Sequence, residues 1–283
     1  LLIPDSFAQP WLVGAIINAV LLTPLLFIRK KLLTPAGVLH AWILGTLLWG
    51  SFKSPSVPWY WLPGGYVVMV VYFILGSGVT KVGAAEKEAL GIAEARSGAR
   101  GPENVWGSAL ISAICAVAFW IVKVRETQEA LLTNQVSPWY FQAIPLLLLA
   151  YVAAISTKLA DTCGTEIGKA YGKRTFLITT LKPVPRGTEG AVSLEGTIAG
   201  IVGAAILASI AWGVGLIPYQ LPIGILFVVI AAFIATNIES LIGATIEGKI
   251  PGLNHDVVNI LNTLIGAIVA VGLAYVVGYN PMG

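Results

Sequence analysis

The chain has 283 residues, of which 57% are apolar and only 11% charged, with a mean hydropathy of +0.83 and a net charge of +3. An ordinary soluble domain carries about 25% charged residues, so a water-soluble globule, a disordered chain and a coiled coil are excluded. Two cysteines and two distant histidines leave no disulfide framework, zinc finger or HExxH site. The chain begins at Leu1 rather than Met, which leaves room for a leader removed before it.

In chain order, apolar runs of membrane-crossing length fall at about 8–28, 35–51, 59–80, 105–122, 138–158, 192–216, 220–246 and 257–278. They predict an all-α, polytopic transmembrane bundle of about eight spans, forming one integral membrane domain over 1–283. Strand-length alternation is missing, which argues against an outer-membrane barrel. With the N-terminus outside, 14 of the 17 Lys and Arg residues fall inside; only Lys53, Lys123 and Arg125 fall outside. That asymmetry is the positive-inside signal and supports an even span count.

Two inside loops are long, about 81–104 and 159–191. Segments of this length in a compact protein are commonly functional. The first reads TKVGAAEKEALGIAEARSGARGPENVWG. Its Glu86-Lys87-Glu88 run suggests a helix lying on the membrane surface, where docking on anionic lipid is the plainer reading. The glycine-rich SGARGPEN portion, with Arg100, is suited to folding over a phosphate, and Lys81 is a second candidate cation.

The densest stretch runs from Asp161 to Gly196, DTCGTEIGKAYGKRTFLITTLKPVPRGTEGAVSLEG. Continued helical period places Asp161 and Thr165 on one face, and Thr162 and Glu166 on a neighbouring one. Gly164, Gly168 and Gly172 leave room for another helix or a ligand. Lys173, Lys182, Arg186 and the turn Gly187-Thr188-Glu189-Gly190 follow. Carboxylates that hold Mg²⁺, cations that neutralise phosphate oxygens and glycines that admit backbone N–H groups together suit a metal–polyphosphate complex. A solvated, positively charged loop is the plainer alternative. GTEIGK is not a Walker A loop, because its spacing is one residue short and Ala170 follows the lysine.

In the seventh span Glu239, Gly243 and Glu247 recur every four residues near the inside end. In the eighth, Asn259, Asn262 and Thr263 form a stripe. A carboxylate inside a span costs about 2.5–3.5 kcal/mol by insertion scales, so Glu239 needs a metal or a basic partner. Hydrogen bonding between packed helices is an equal reading for Asn262 and Thr263. His255 reads as an interfacial histidine, and Gly196-Thr-Ile-Ala-Gly200 as a helix-packing motif. Polar groups at the inside ends of spans five, seven and eight thus converge on one leaflet.

ADTCGTEIGK, TTLKPVPRGTEGAVSLEGT, ESLIGATIEG and TKVGAAEKEALGIAEARSGARG resemble the transmembrane protein 19 family from about Leu33 to Gly266. This family includes the phytyl-phosphate kinases of tocopherol synthesis. The Asp161–Gly196 order is more loosely similar to phytol and dolichol kinases. The resemblance implies a membrane kinase moving the terminal phosphate of a nucleoside triphosphate, CTP, to phytyl monophosphate. It further implies Mg²⁺ as cofactor, an isoprenoid phosphate and a nucleotide as partners, and no nucleic acid. Asp161 and Lys182 would be catalytic. Asp161, Glu166, Glu239 and Glu247 would face the metal. Lys81, Arg100, Lys173, Arg186, Gly187, Thr188, Gly190 and Asn262 would bind phosphates. The membrane would be a cyanobacterial plasma or thylakoid membrane, or a plastid membrane, with the site facing cytoplasm or stroma. The competing reading of the residues is a transporter for a phosphorylated or anionic solute.

Overall fold

A computed structural model describes residues 5–28, 31–53, 62–218 and 222–278. Trp59, Trp61, Arg29 and Lys30 lie outside them. The helices are α1 (Asp5–Leu22), α2 (Pro35–Phe52), α3 (Gly64–Thr80), α4 (Ala84–Ala89), α5 (Pro102–Thr133), α6 (Trp139–Tyr171), α7 (Leu194–Gly213), α8 (Ile223–Thr245) and α9 (His255–Val276). A small antiparallel hairpin, β1 (Thr175–Leu177) and β2 (Ala191–Ser193), joins α6 to α7 with Phe176 opposite Val192.

A long helix thus occupies each of the eight predicted spans. Among the described residues six of them are long and apolar enough to cross a membrane; α3, at 17 residues, and α2 fall outside that set. The edges differ from expectation where polar helix continues an apolar run. The helical period expected to continue past 159 runs to Tyr171, well into the long inside segment, and α5 runs past 122 to Thr133. Hydrophobicity alone marks where lipid ends, not where the helix ends.

Local signals start the helices. Thr34 caps α2, its hydroxyl accepting from Gly37 N–H at 3.0 Å, with Pro35 in the first turn. Asn104 reaches back to Gly101 N–H at 3.0 Å at the head of α5, again behind a proline. Ser193 accepts from Gly196 N–H at 3.1 Å to open α7, and Asn254 from Val257 N–H at 3.0 Å to open α9.

Helix α6 is the axle of the bundle. Every residue from Leu149 to Ala160 is buried, because α3, α5, α7, α8 and α9 surround it. That stretch is apolar on every face up to Ile155, with Ser156, Thr157 and Lys158 following toward the site. Its contact with α7 is set by glycine. A Cβ on Gly196 would stand 2.5 Å from the Gly164 carbonyl, and one on Gly200 2.9 Å from the Ala160 carbonyl. The space left by Gly164 is therefore filled by α7.

Candidate active site

The C-terminal ends of α3, α6 and α8 and the N-terminal ends of α5, α7 and α9 meet at one end of the bundle. They surround a cavity of about 320 Å³. Its deep wall is polar. Lys158 Nζ donates to Asp161 Oδ2 at 2.6 Å, three residues on along α6, and to Asn259 Oδ1 from α9. Asn262 Nδ2, one turn further along α9, donates to Glu239 on α8. The Glu239 and Asp161 carboxyls lie within reach of each other, which closes the network across three helices. Glu239, Asn259 and Asn262 are buried, so their polar groups need partners within the protein or the cavity. Asn262 Oδ1 is buried without a partner, so one acceptor at the base of the site remains to be satisfied.

The opposite wall comes from the segment before α5. Arg100 lines the cavity. Its guanidinium donates to the Tyr72 hydroxyl at 3.0 Å and lies over the Tyr72 ring. Its backbone is pinned by Arg100 N–H to Leu32 carbonyl and by Thr34 N–H to Arg100 carbonyl, both 3.0 Å. Among the described residues Arg100 forms no ion pair. Its charge is thus available to an anion. Lys169 stands 3.9 Å from Glu94 on the same rim.

The hairpin turn covers the third side, where Gly187, Thr188, Glu189 and Gly190 all line the cavity. Gly190 has φ +72°, and a Cβ there would come within 2.8 Å of the Ser240 carbonyl on α8. That contact gives this glycine a packing reason independent of any ligand. Glu189, Glu247 and His255 come from three separate segments. Their ligand atoms lie within 4.8 Å of one another, with His255 Nδ1 3.3 Å from Glu247. Glu247 lies past the end of α8. Burial, then the nearby Glu189 charge, pushes its carboxyl up from the ordinary value, against the opposing pull of His255.

Other expected site residues do separate work. Glu166 is buried in an ion pair with Lys87, whose Nζ also donates to the Thr80 carbonyl at 2.8 Å. Lys87 is 1% exposed, so α4 presents this lysine to the protein interior and not to a lipid surface. Arg186 donates to the Ala170 carbonyl and to Glu86, both at 2.7 Å, tying the hairpin to α6 and α4. Lys81, Lys173 and Lys182 are exposed and do not line the cavity. Lys158 and His255 enter the site without having been singled out for it, whereas Asn259 and Glu189 were noted only as members of a polar stripe and of a turn. The signal for Lys158 was present as an i,i+3 pair with Asp161. The others depend on which helix ends meet.

Both the bundle and the cavity define a polytopic helical membrane protein with a charged site at one end of its spans. The chain belongs to the integral membrane protein DUF92 family, whose profile matches residues 18–267. It is 51% identical to an uncharacterized membrane protein of Synechocystis sp. over 95% of this chain and 93% of that one. It is 39% identical to Protein VTE6, chloroplastic, of Arabidopsis thaliana over 84% of this chain and 64% of the plant protein. An uncharacterized membrane protein of Methanocaldococcus jannaschii is 31% identical over 72% of this chain and 74% of its own length. No solved structure matches. The resemblance to the transmembrane protein 19 family noted above holds over most of the chain.

Proposed function

We propose that the protein is a membrane prenyl-phosphate kinase, which transfers the terminal phosphoryl group of CTP to phytyl monophosphate and gives phytyl diphosphate. The observation that carries this reading is the cavity itself. An otherwise apolar bundle gathers several carboxylates, the buried Lys158 and an arginine that forms no ion pair among the described residues at one end, in a chain of the family to which phytyl-phosphate kinases belong.

The acceptor is already an anion, so the reaction calls for no strong base. An acceptor phosphate oxygen forms a new bond to the terminal phosphorus of the triphosphate. The bond from that phosphorus to its bridging oxygen breaks, and the nucleoside diphosphate leaves with the electron pair. What the protein must supply is alignment of two polyanions and neutralisation of their charge. Arg100, fixed by Tyr72 and by two backbone hydrogen bonds, offers a preorganised fork of donors to phosphate oxygens. Lys158 is held in place by Asp161 and Asn259 and adds positive charge at the cavity floor. The first turn of α7, which lines the cavity at Ser193, Gly196 and Thr197, presents the positive end of a 20-residue helix.

The residues also fit a divalent cation. Glu189, Glu247 and His255 form an oxygen–nitrogen donor set at the cavity rim, and Asp161 and Glu239 lie deeper, each engaged by a neutralising or hydrogen-bonding partner. Mg²⁺ held by the rim set would offset triphosphate charge. The chloroplastic label of the plant relative and the Synechocystis relative support a photosynthetic or plastid membrane, and the bias of Lys and Arg in the sequence supports a site on its cytoplasmic or stromal side.

The test is conversion of radiolabelled phytyl monophosphate by purified protein in detergent with Mg²⁺ and each of the four common nucleoside triphosphates. Diphosphate product that requires a triphosphate and vanishes in Asp161→Asn is expected. Well-folded protein that forms no diphosphate with any triphosphate or prenyl phosphate would overturn the kinase and favour a carrier of anionic solutes.

A further inference from the structure

The cavity is not closed on all sides. Its lining includes Gly200 and Ile201 of α7 and Phe233, Thr236 and Asn237 of α8. Ile201 and Phe233 are 38% and 43% exposed, and each is followed along its helix by a residue, Val202 and Ile234, that is exposed without lining the cavity. A cavity-lining residue next to an exposed residue outside the lining marks a place where the cavity wall runs into the outer surface. The outer surface around it is apolar: Ile198, Val202, Ile230 and Ile234 are exposed there. Both helices are of membrane-crossing length and composition, so that surface faces hydrocarbon.

The gap has defined ends. Below it, Ala160, Ala204 and Ala232 form a tight three-helix contact between α6, α7 and α8. Small side chains let the helices close there. Ile201 and Phe233 lie immediately on the site side of that contact. Above it, Gly190 of the hairpin packs on Ser240 and Ala244 of α8. The opening is thus a slot of about two helical turns between a closed floor and the hairpin. At its inner end stand the groups described above for phosphate, Lys158 and Arg100 among them.

We infer that this slot between α7 and α8 is the lateral portal through which a single-chain isoprenoid phosphate is held, its head group in the cavity and its chain passing between Ile201 and Phe233 into the bilayer. The identity of the head group rests on the kinase reading; the path of the chain rests on the slot alone. A substrate of this kind does not leave the membrane, so a polar site at the end of a bundle is useful to it only with a side opening. Ile201 and Phe233, which frame the opening, are then residues that determine which chains are accepted.

Two measurements test this. The first uses a prenyl monophosphate of about 20 carbons with a diazirine in the isoprene unit next to its head group, photolysed on wild-type protein in nanodiscs. Label on α7 and α8 beside Ile201 and Phe233, suppressed by excess unlabelled prenyl monophosphate, is expected. Label confined to α1–α3, or label that the competitor does not suppress, overturns the portal, and equal suppression by a diacyl phosphatidic acid overturns its single-chain character. The second compares Ile201→Trp and Phe233→Leu on long and short substrates. Narrowing with Trp is expected to lower kcat/KM for the long chain about tenfold while a prenyl monophosphate of about five carbons changes less than about twofold, and Leu is expected to spare both. Equal effects on the two chain lengths overturn the assignment. Labelling at the slot without phosphoryl transfer by the wild type would leave the portal standing and remove the kinase.

Discussion

Lys158 and Asp161 lie one turn apart on α6 with 2.6 Å between Nζ and Oδ2, and both side chains are largely withdrawn from solvent on the cavity floor. Lys158→Met removes the cation and strands a carboxylate among Glu239 and Asn259. Breaking a buried pair from one side costs about 3–5 kcal/mol, so a marked fall in melting temperature is expected together with loss of turnover. Asp161→Asn keeps a hydrogen-bond acceptor for Lys158 and should spare more of the fold while still abolishing turnover. Thermal unfolding and phosphoryl transfer measured on both variants check the order.

Arg100 and Lys182 make a contrast that can be measured directly. Arg100 lines the cavity and is held in place, whereas Lys182 is exposed beyond the hairpin. Arg100→Ala is expected to lower kcat/KM by about 100-fold, in line with removal of a charge-stabilising donor. Arg100→Lys should recover only part, because the ammonium cannot reproduce the fork that meets Tyr72 and a phosphate together. Lys182→Ala should stay within about threefold of wild type. A collapse of activity in Lys182→Ala with Arg100→Ala unaffected would reverse this assignment.

The buried Lys87–Glu166 pair predicts non-additive stability. Lys87→Met or Glu166→Leu alone leaves a buried group without its partner and should cost about 3–5 kcal/mol, whereas the double variant Lys87→Met/Glu166→Leu should cost far less than the sum. Chemical or thermal unfolding of the four proteins completes the cycle. Additive losses would mean that the two side chains do not act on each other.

Glu247 supplies a pH dependence. Its carboxyl is pushed up by burial and by Glu189, so it takes up a proton at a higher pH than an ordinary carboxyl does. Cation binding needs the ionised form. Affinity at the rim should therefore fall as pH is lowered from slightly alkaline to mildly acidic, sooner than ordinary carboxylates would impose. The stability sign is opposite. With no cation bound, the raised value favours the protonated folded protein, and this contribution is lost as pH rises through it. Mn²⁺ binding followed by electron paramagnetic resonance across this range should show the early fall, and Glu247→Gln should flatten it. A profile that Glu247→Gln leaves unchanged would remove Glu247 from the cation site.

Composition and hydrophobic runs make the bundle legible, because burial in lipid demands apolar length and little else. The convergence of Asp161, Glu239 and Asn262 is legible too, since each sits near the same end of its span. What lay beyond the sequence was pairing. Glu166 is matched by a lysine 79 positions earlier, and nothing in a one-dimensional pattern ties Lys87 to it. Glu189 and His255 meet only because the hairpin folds back over the ends of α8 and α9. Lysine positions were read as a charge tally, which cannot separate Lys182, facing water, from Lys158, facing Asp161.

The length of α6 has its own consequence. Asp161 lies 22 residues beyond Trp139, roughly 33 Å along the helix, against about 30 Å of hydrocarbon in a typical bilayer. Because 149–160 of that helix is buried among five others, the depth of the charged floor is set by packing within the protein and not by the lipid. A thinner or thicker membrane would have to deform around the bundle to keep a substrate's phosphate level with Lys158. The protein thus carries its own ruler, and lipid thickness becomes a variable to which its turnover should respond.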